Sequence, residues 1–212
     1  MLRSSYSQFK CVLFDLDDTL VDTTKTTLRR LEQASKKFSL EKDIRHLYNL
    51  ISDPLREEVL AKSGKYSKEF WLEYERLRNT ILVNPIGDVR GLFDKLKIRE
   101  IKKGVLTNNT HSKSLFKLSR CDIYKEDLDG GFFNSENMLY LKPNYRCFDH
   151  LSDKDSIVYI GDDGIDYIAA KNARISFFGV TTGLTSKERF INIGLNDYYI
   201  FKNIHEIRLG YD

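Results

Sequence analysis

Three aspartates, Asp15, Asp17 and Asp18, fall within four positions at the end of an apolar run and just before Thr19. Acids at that density repel one another and suit a strand interior badly. They are tolerable where a cation neutralises them. A second acidic group, Asp162, Asp163 and Asp166, follows a second apolar run, SIVYI. If both runs are strands of one parallel sheet, both groups meet at its C-terminal edge. Two sets of carboxylate oxygens there make a hard-cation site, better suited to Mg2+ than to Zn2+. Thr107-Asn108 ends a third apolar run. Its hydroxyl, its amide and the N–H groups entering the next helix can grip phosphate oxygens. Lys142, before Pro143, opens the next expected helical segment and adds a point positive charge suited to phosphate.

The elements that must position these groups are legible as alternating patterns. Residues 9–16 (FKCVLFDL) read as a buried strand, and short apolar runs recur at 104–106, 157–160 and 175–180. Gly130-Gly131 marks a turn before a further short strand. Helical patterns separate the runs. Leu92, Phe93 and Leu96 share one face after Asp88, an expected N-cap, and Ile165, Ile168 and Ala169 are expected to share another. Strands alternating with helices predict βα units and a parallel sheet covered on both faces.

Residues 22–83 break the alternation and hold no convincing strand. Leu28, Leu31 and Phe38 fit one helical stripe, and Ile44, Leu47, Tyr48 and Ile51 a second. Asp53-Pro54 starts a third helix. Phe70, Trp71, Tyr74, Leu77 and Ile81 form a fourth stripe, read as packing. Asn84-Pro85 then ends the run, since the residue before a proline avoids the helical region.

Asp15-x-Asp17-x-Thr19, Thr107-Asn108, Lys142-Pro143 and Gly161-Asp162-x-x-x-Asp166, in that order and nearly spanning the chain, closely resemble the haloacid dehalogenase superfamily. Residues 169–173 (AAKNA) and 179–183 (GVTTG) also look like its phosphoglycolate-phosphatase branch. The resemblance implies an α/β fold: a Rossmann-like catalytic core over residues 1–21 and 84–212, with an all-α cap inserted at 22–83. It implies that Asp15 is the nucleophile and Asp17 the acid, then the base. Mg2+ would sit on Asp15, the Asp17 carbonyl and Asp162. Asp166 is the second metal-site acid of the last motif by spacing, with Asp163 as the alternative. Thr107, Asn108 and Lys142 would hold the phosphoryl group. An acid at Asp17 points to phosphoryl transfer rather than carbon–halogen cleavage. Asp18 stands where many members carry Gly, a departure expected to leave the chemistry intact. The reaction so implied is Mg2+-dependent hydrolysis of a small phosphomonoester, such as phosphoglycolate, a sugar phosphate, a nucleotide or pyrophosphate. A phosphosugar mutase of the β-phosphoglucomutase type and an aspartate-phosphorylated signalling module are the competing readings. Substrate choice would fall to the cap, where Arg45, Asn49 and Arg56 flank an expected tip at residues 52–55.

The rest of the chain excludes other classes. With 212 residues, 41% hydrophobic and 31% charged, it is long enough for a sizeable core, and disorder is excluded. A net charge of +3 with scattered basic pairs gives no nucleic-acid surface. No apolar run is long enough to span a membrane, and CVLF after a polar start is too short for a secretory signal. Cys11, Cys121 and Cys147 form neither a C-x-x-C pair nor a disulfide framework. A cytoplasmic monomer or homodimer acting on a small phosphorylated metabolite is the expectation. His46, His111, His150 and His205 include no metal-ligand pair, so no zinc site is expected; His111 lies near Thr107-Asn108, most simply at a helix start.

Overall fold

The structure, a computed structural model, describes residues 9–39, 44, 47–48 and 68–208. The chain forms two compact units, Met1–Asp22 with Asn84–Asp212, and Thr23–Val83. The described strands are β1 (Cys11–Phe14), β2 (Lys102–Leu106), β3 (Gly131–Phe133), β4 (Ile157–Gly161), β5 (Ser176–Val180) and β6 (Ile200–Phe201). The described α-helices are α1 (Thr24–Lys37), α2 (Lys68–Thr80), α3 (Val89–Ile98), α4 (His111–Ser119), α5 (Gly164–Ala173) and α6 (Lys187–Asn192).

The described strands of the first unit pair in parallel, in the order β3-β2-β1-β4-β5-β6. The α/β parallel-sheet architecture read from the sequence is therefore the one observed. β1 lies in the middle, with Phe14 opposite Val105 on one side and Ile160 on the other. From β1 the strand order runs outward in opposite directions, so the switch point of the sheet falls at the C-terminal ends of β1 and β4. Alternation along β1 divides the core between two faces. Cys11 and Leu13 join Tyr159, Phe148 and Phe177 in one cluster. Phe14 stacks on Phe93 of α3 with ring centroids 5.5 Å apart. Asp88 caps α3 as expected, its Oδ1 accepting from the Gly91 N–H at 2.8 Å.

Two local readings differ from the structure. α5 does not bury Ile165 and Ile168, which are 36% and 41% exposed. Its inward side carries Asp166, Tyr167, Ala169, Ala170 and Ala173 instead. The sheet beneath presents the large rings of Tyr159 and Phe177, so the helix approaches with alanines. After Lys142-Pro143 there is a single 3-10 turn (Tyr145–Phe148), capped by Asn144, rather than a longer helix.

The chain leaves the first unit and returns at adjacent points. The Asp22 N–H donates to the Asn84 carbonyl at 2.9 Å, and Val21 bridges Pro85. In the second unit α1 and α2 share a core of Leu31, Ala34, Leu47, Phe70, Tyr74 and Leu77. Phe38, Ile44, Tyr48, Trp71 and Ile81 pack against it, so the aromatic stripe is packing. The Arg30 guanidinium donates to the Ile81 carbonyl, tying α1 to the chain after α2. Glu73 accepts from Lys37 at 2.7 Å and from Arg76 at 2.6 and 3.0 Å. None of the described helices is long and apolar enough to cross a membrane.

The hydrogen bonds from Arg76 and Lys37 hold the Glu73 carboxyl down at about 2. A depressed carboxyl contributes stability above its unfolded pKa of about 4.3 and loses it as pH falls towards the folded value. Glu73→Gln should therefore lower the melting temperature at pH 7. The gap to wild type, followed by circular dichroism, should close between about pH 4.3 and pH 2.

Candidate active site

Asp15 is the first residue beyond β1, yet its N–H still donates to the Ile160 carbonyl at 2.8 Å. The sheet ladder thus fixes the backbone of this acid. Asp162 holds the equivalent place after β4. Asp166 lies one helical turn on, on the inward side of α5. Carboxylate oxygens from these three buried residues lie within 4.8 Å of one another. Asp163 faces outward and caps α5, its Oδ1 accepting from the Ile165 N–H.

Lys142 enters this cluster. Its ammonium donates to Asp15 Oδ1 at 2.6 Å, to Asp166 Oδ1 at 2.6 Å and to the Tyr159 hydroxyl at 2.8 Å. Three donors meet three acceptors, so the buried ammonium is saturated. Asn108 holds the Lys142 backbone from both ends. Its Nδ2 donates to the Lys142 carbonyl at 2.9 Å, and its Oδ1 accepts from the Lys142 N–H at 3.0 Å. Thr107 is buried beside it, its N–H donating to the Phe133 carbonyl at 3.0 Å.

The acids approach closely because glycines leave room. A Cβ on Gly161 would lie 2.4 Å from Asp166 Oδ2, and one on Gly183 1.8 Å from Asp162 Oδ2. Thr19 donates to Asp162 Oδ1 at 3.2 Å. Asp18 takes a left-handed backbone, φ 52°, a conformation that glycine adopts most readily. Its carbonyl accepts from the Thr182 hydroxyl.

The electrostatics follow from burial. Burial pushes the Asp15 carboxyl up to about 7 against the pull of Lys142, and Asp166 and Asp17 push the same way. Burial and the neighbouring Asp15 and Asp166 carboxylates push Asp162 well above its ordinary range. Burial disfavours the Lys142 ammonium, but Asp15 and Asp166 outweigh it and hold its pKa above the usual lysine value. One ammonium therefore faces three carboxylates, and the excess negative charge fits a divalent cation. Its oxygen-only donors suit a hard ion such as Mg2+. Asp15, Asp162 and Asp166 would hold it. Burial raises the cysteine thiols, Cys11 to about 11 and Cys121 and Cys147 to about 12, which leaves them as inert core residues.

Of the residues singled out from the sequence, Asp15, Asp162, Asp166 and Lys142 converge on one point, with Thr107 and Asn108 on the adjoining loop. The Asp17 side chain turns instead towards Lys117 and Asn109. Arg45, Asn49, Arg56 and residues 52–55 lie outside the described residues. His111 starts α4; its Nδ1 lies 3.3 Å from Asn134 Nδ2 and its ring is tilted on Phe132. Sequence reasoning missed Tyr159, Asn109 and Lys117. In the structure Lys117 lies beside Ser114 and Leu118, both buried, on the inward stripe of α4, a placement its residue type does not announce.

The haloacid dehalogenase-like hydrolase family model matches residues 12–180. No curated protein matches the chain. Among solved structures, a HAD family hydrolase from Deinococcus radiodurans R1 with bound phosphate and sodium is similar, with a TM-score of 0.75 at 16% identity, covering 94% of this chain and 93% of that one. A predicted beta-phosphoglucomutase from Thermotoga maritima has a TM-score of 0.73 at 18% identity, covering 92% and 94%. A predicted phosphoglycolate phosphatase from Haemophilus somnus 129PT has a TM-score of 0.64 at 17% identity, covering 92% and 95%.

Lys142→Met removes the only cation bonded to Asp15 and Asp166 among the described residues. Without added metal it should cost about 3–5 kcal/mol in urea denaturation at pH 8, the penalty of buried unpaired charge. Asp15 has a raised carboxyl, so protonation relieves that penalty as pH falls. The deficit should shrink at pH 5.5.

Proposed function

The chain belongs to the haloacid dehalogenase-like hydrolase family, and we propose that it is a Mg2+-dependent phosphatase for a small phosphomonoester, working through an aspartyl-phosphate at Asp15. The observation that most supports this is the meeting of Asp15, Asp162 and Asp166 around the buried Lys142 ammonium at the switch point of the sheet. A nucleophilic carboxylate can approach a phosphate dianion only where fixed positive charge offsets the repulsion. Lys142 supplies part of it. A bound Mg2+ would supply the rest.

In this reading Asp15 attacks phosphorus and the leaving oxygen takes a proton from Asp17. Water then attacks the phospho-aspartate, giving its proton to Asp17, and inorganic phosphate departs. Thr107 holds the phosphoryl oxygens, the Lys142 charge offsets theirs, and Asn108 fixes the Lys142 backbone. The segment 22–83 serves as the cap that selects the leaving group. The family's division of labour assigns it that task, and a compact phosphorylated metabolite suits its size.

Purified protein with Mg2+ should hydrolyse p-nitrophenyl phosphate, and EDTA should abolish the activity. Asp15→Asn should reduce kcat by at least about 10³-fold, since no covalent intermediate can form. Full activity in EDTA or in that variant would refute the mechanism. Release of inorganic phosphate from natural phosphomonoesters without a sugar acceptor separates a phosphatase from a mutase. A screen of kcat/KM across such esters would identify the substrate.

A further inference from the structure

Both oxygens of the Asp17 carboxylate are engaged. Oδ1 accepts from Lys117 Nζ at 2.5 Å, and Oδ2 accepts from Nδ2 of Asn109. Asn109 is tied in turn to the phosphoryl-binding loop. Its N–H and its Nδ2 donate to Thr107 Oγ1 at 3.3 and 3.0 Å, and its Oδ1 lies 3.5 Å from Lys117 Nζ. Lys117 lies in the second turn of α4. Helical side chains lean towards the N-terminus, so its ammonium reaches back to the strand ends. The Lys117 side chain keeps only 16% of its exposure. A solvated lysine would gain little from a surface ion pair and would lose rotamer freedom by folding back. This lysine is instead drawn in, onto Asp17, which the carboxylate cluster does not include.

We propose that Lys117, with Asn109, is the positioning residue that holds the Asp17 carboxylate for the hydrolytic half of the reaction. The proposal rests on the reading above of Asp15 as nucleophile and Asp17 as acid and base. A donor on each oxygen fixes the carboxylate plane. A carboxylate held by two donors is the form from which a base starts. In this half-reaction the water oxygen bonds to phosphorus and a water proton passes to Asp17. The phosphorus–oxygen bond to Asp15 breaks, its electron pair stays on Asp15, and inorganic phosphate forms. Lys117 acts through Asp17, and Asn109 links that acid to Thr107.

Stopped-flow kinetics with p-nitrophenyl phosphate and Mg2+ separate the two halves. p-Nitrophenolate leaves without needing a proton, so the first turnover reports attack by Asp15 and the steady state reports hydrolysis. In Lys117→Met the first turnover should stay within about threefold of wild type while kcat falls about 10–100-fold, within the range of lost acid–base catalysis. A burst approaching one equivalent of nitrophenolate should appear. Lys117→Gln should behave alike, and Lys117→Arg should recover most of kcat, since a guanidinium can also donate to the carboxylate. Equal losses in both phases, a raised KM at unchanged kcat, or wild-type kinetics in Lys117→Met and Lys117→Gln would each overturn the proposal. Asp17→Asn is the parallel arm. Wild-type turnover there, or no nitrophenolate from the unaltered protein, sinks the reading of Asp17 itself, whatever the lysine variants do.

Discussion

One ammonium group organises this molecule. Lys142 Nζ sits among Asp15, Asp166 and Tyr159 with every donor satisfied. Three carboxylates in one buried space would otherwise drive the strand ends apart. The surrounding architecture serves this contact. β1 and β4 deliver Asp15 and Asp162 from adjacent strands, α5 brings Asp166 back one turn later, and Asn108 clamps the backbone that carries the lysine. Tyr159, on the strand that ends at the site, passes its hydroxyl to the Leu106 carbonyl and so joins the same network to β2. Burial gives the arrangement its chemical force. The same desolvation that raises Asp15 and Asp162 creates the demand for a cation.

The groups that converge here were legible in the sequence for a physical reason. In a parallel sheet every strand delivers its C-terminal residue to one edge. An acid, a Thr-Asn pair or a lysine after an apolar run therefore announces its destination. Tyr159 lies inside such a run and reads as core, which it also is; its hydroxyl is visible only once the lysine is seen above it. Lys117 reads as a solvated helix residue because its pairing with Asp17 depends on how α4 leans over the end of β1. The error at Ile165 and Ile168 has a similar origin. Hydrophobicity alone favours isoleucine over alanine on the inner face, but the rings of Tyr159 and Phe177 already occupy the depth a larger side chain would need.

Glycine and threonine have complementary uses at this edge. Gly161 and Gly183 admit carboxylates to distances that any Cβ would forbid. Thr19 and Thr182 supply hydroxyl donors to Asp162 and to the Asp18 carbonyl. The Thr182 hydroxyl ties the loop after β5 to the loop after β1.

The paired crossing points at Asp22 and Asn84 bear on how the chain finds its fold. β1 must pair with β2, roughly ninety residues later, and closing so long a loop is slow and entropically costly. The intervening segment has its own core, and the residues that flank it, Asp22 and Asn84, are joined by a hydrogen bond. A segment that collapses on itself brings Val21 and Pro85 together and leaves only a short remainder to close. During synthesis the helices emerge before β2 does. The insertion can thus act as an internal splint, shortening the search by which the central strand meets its neighbour.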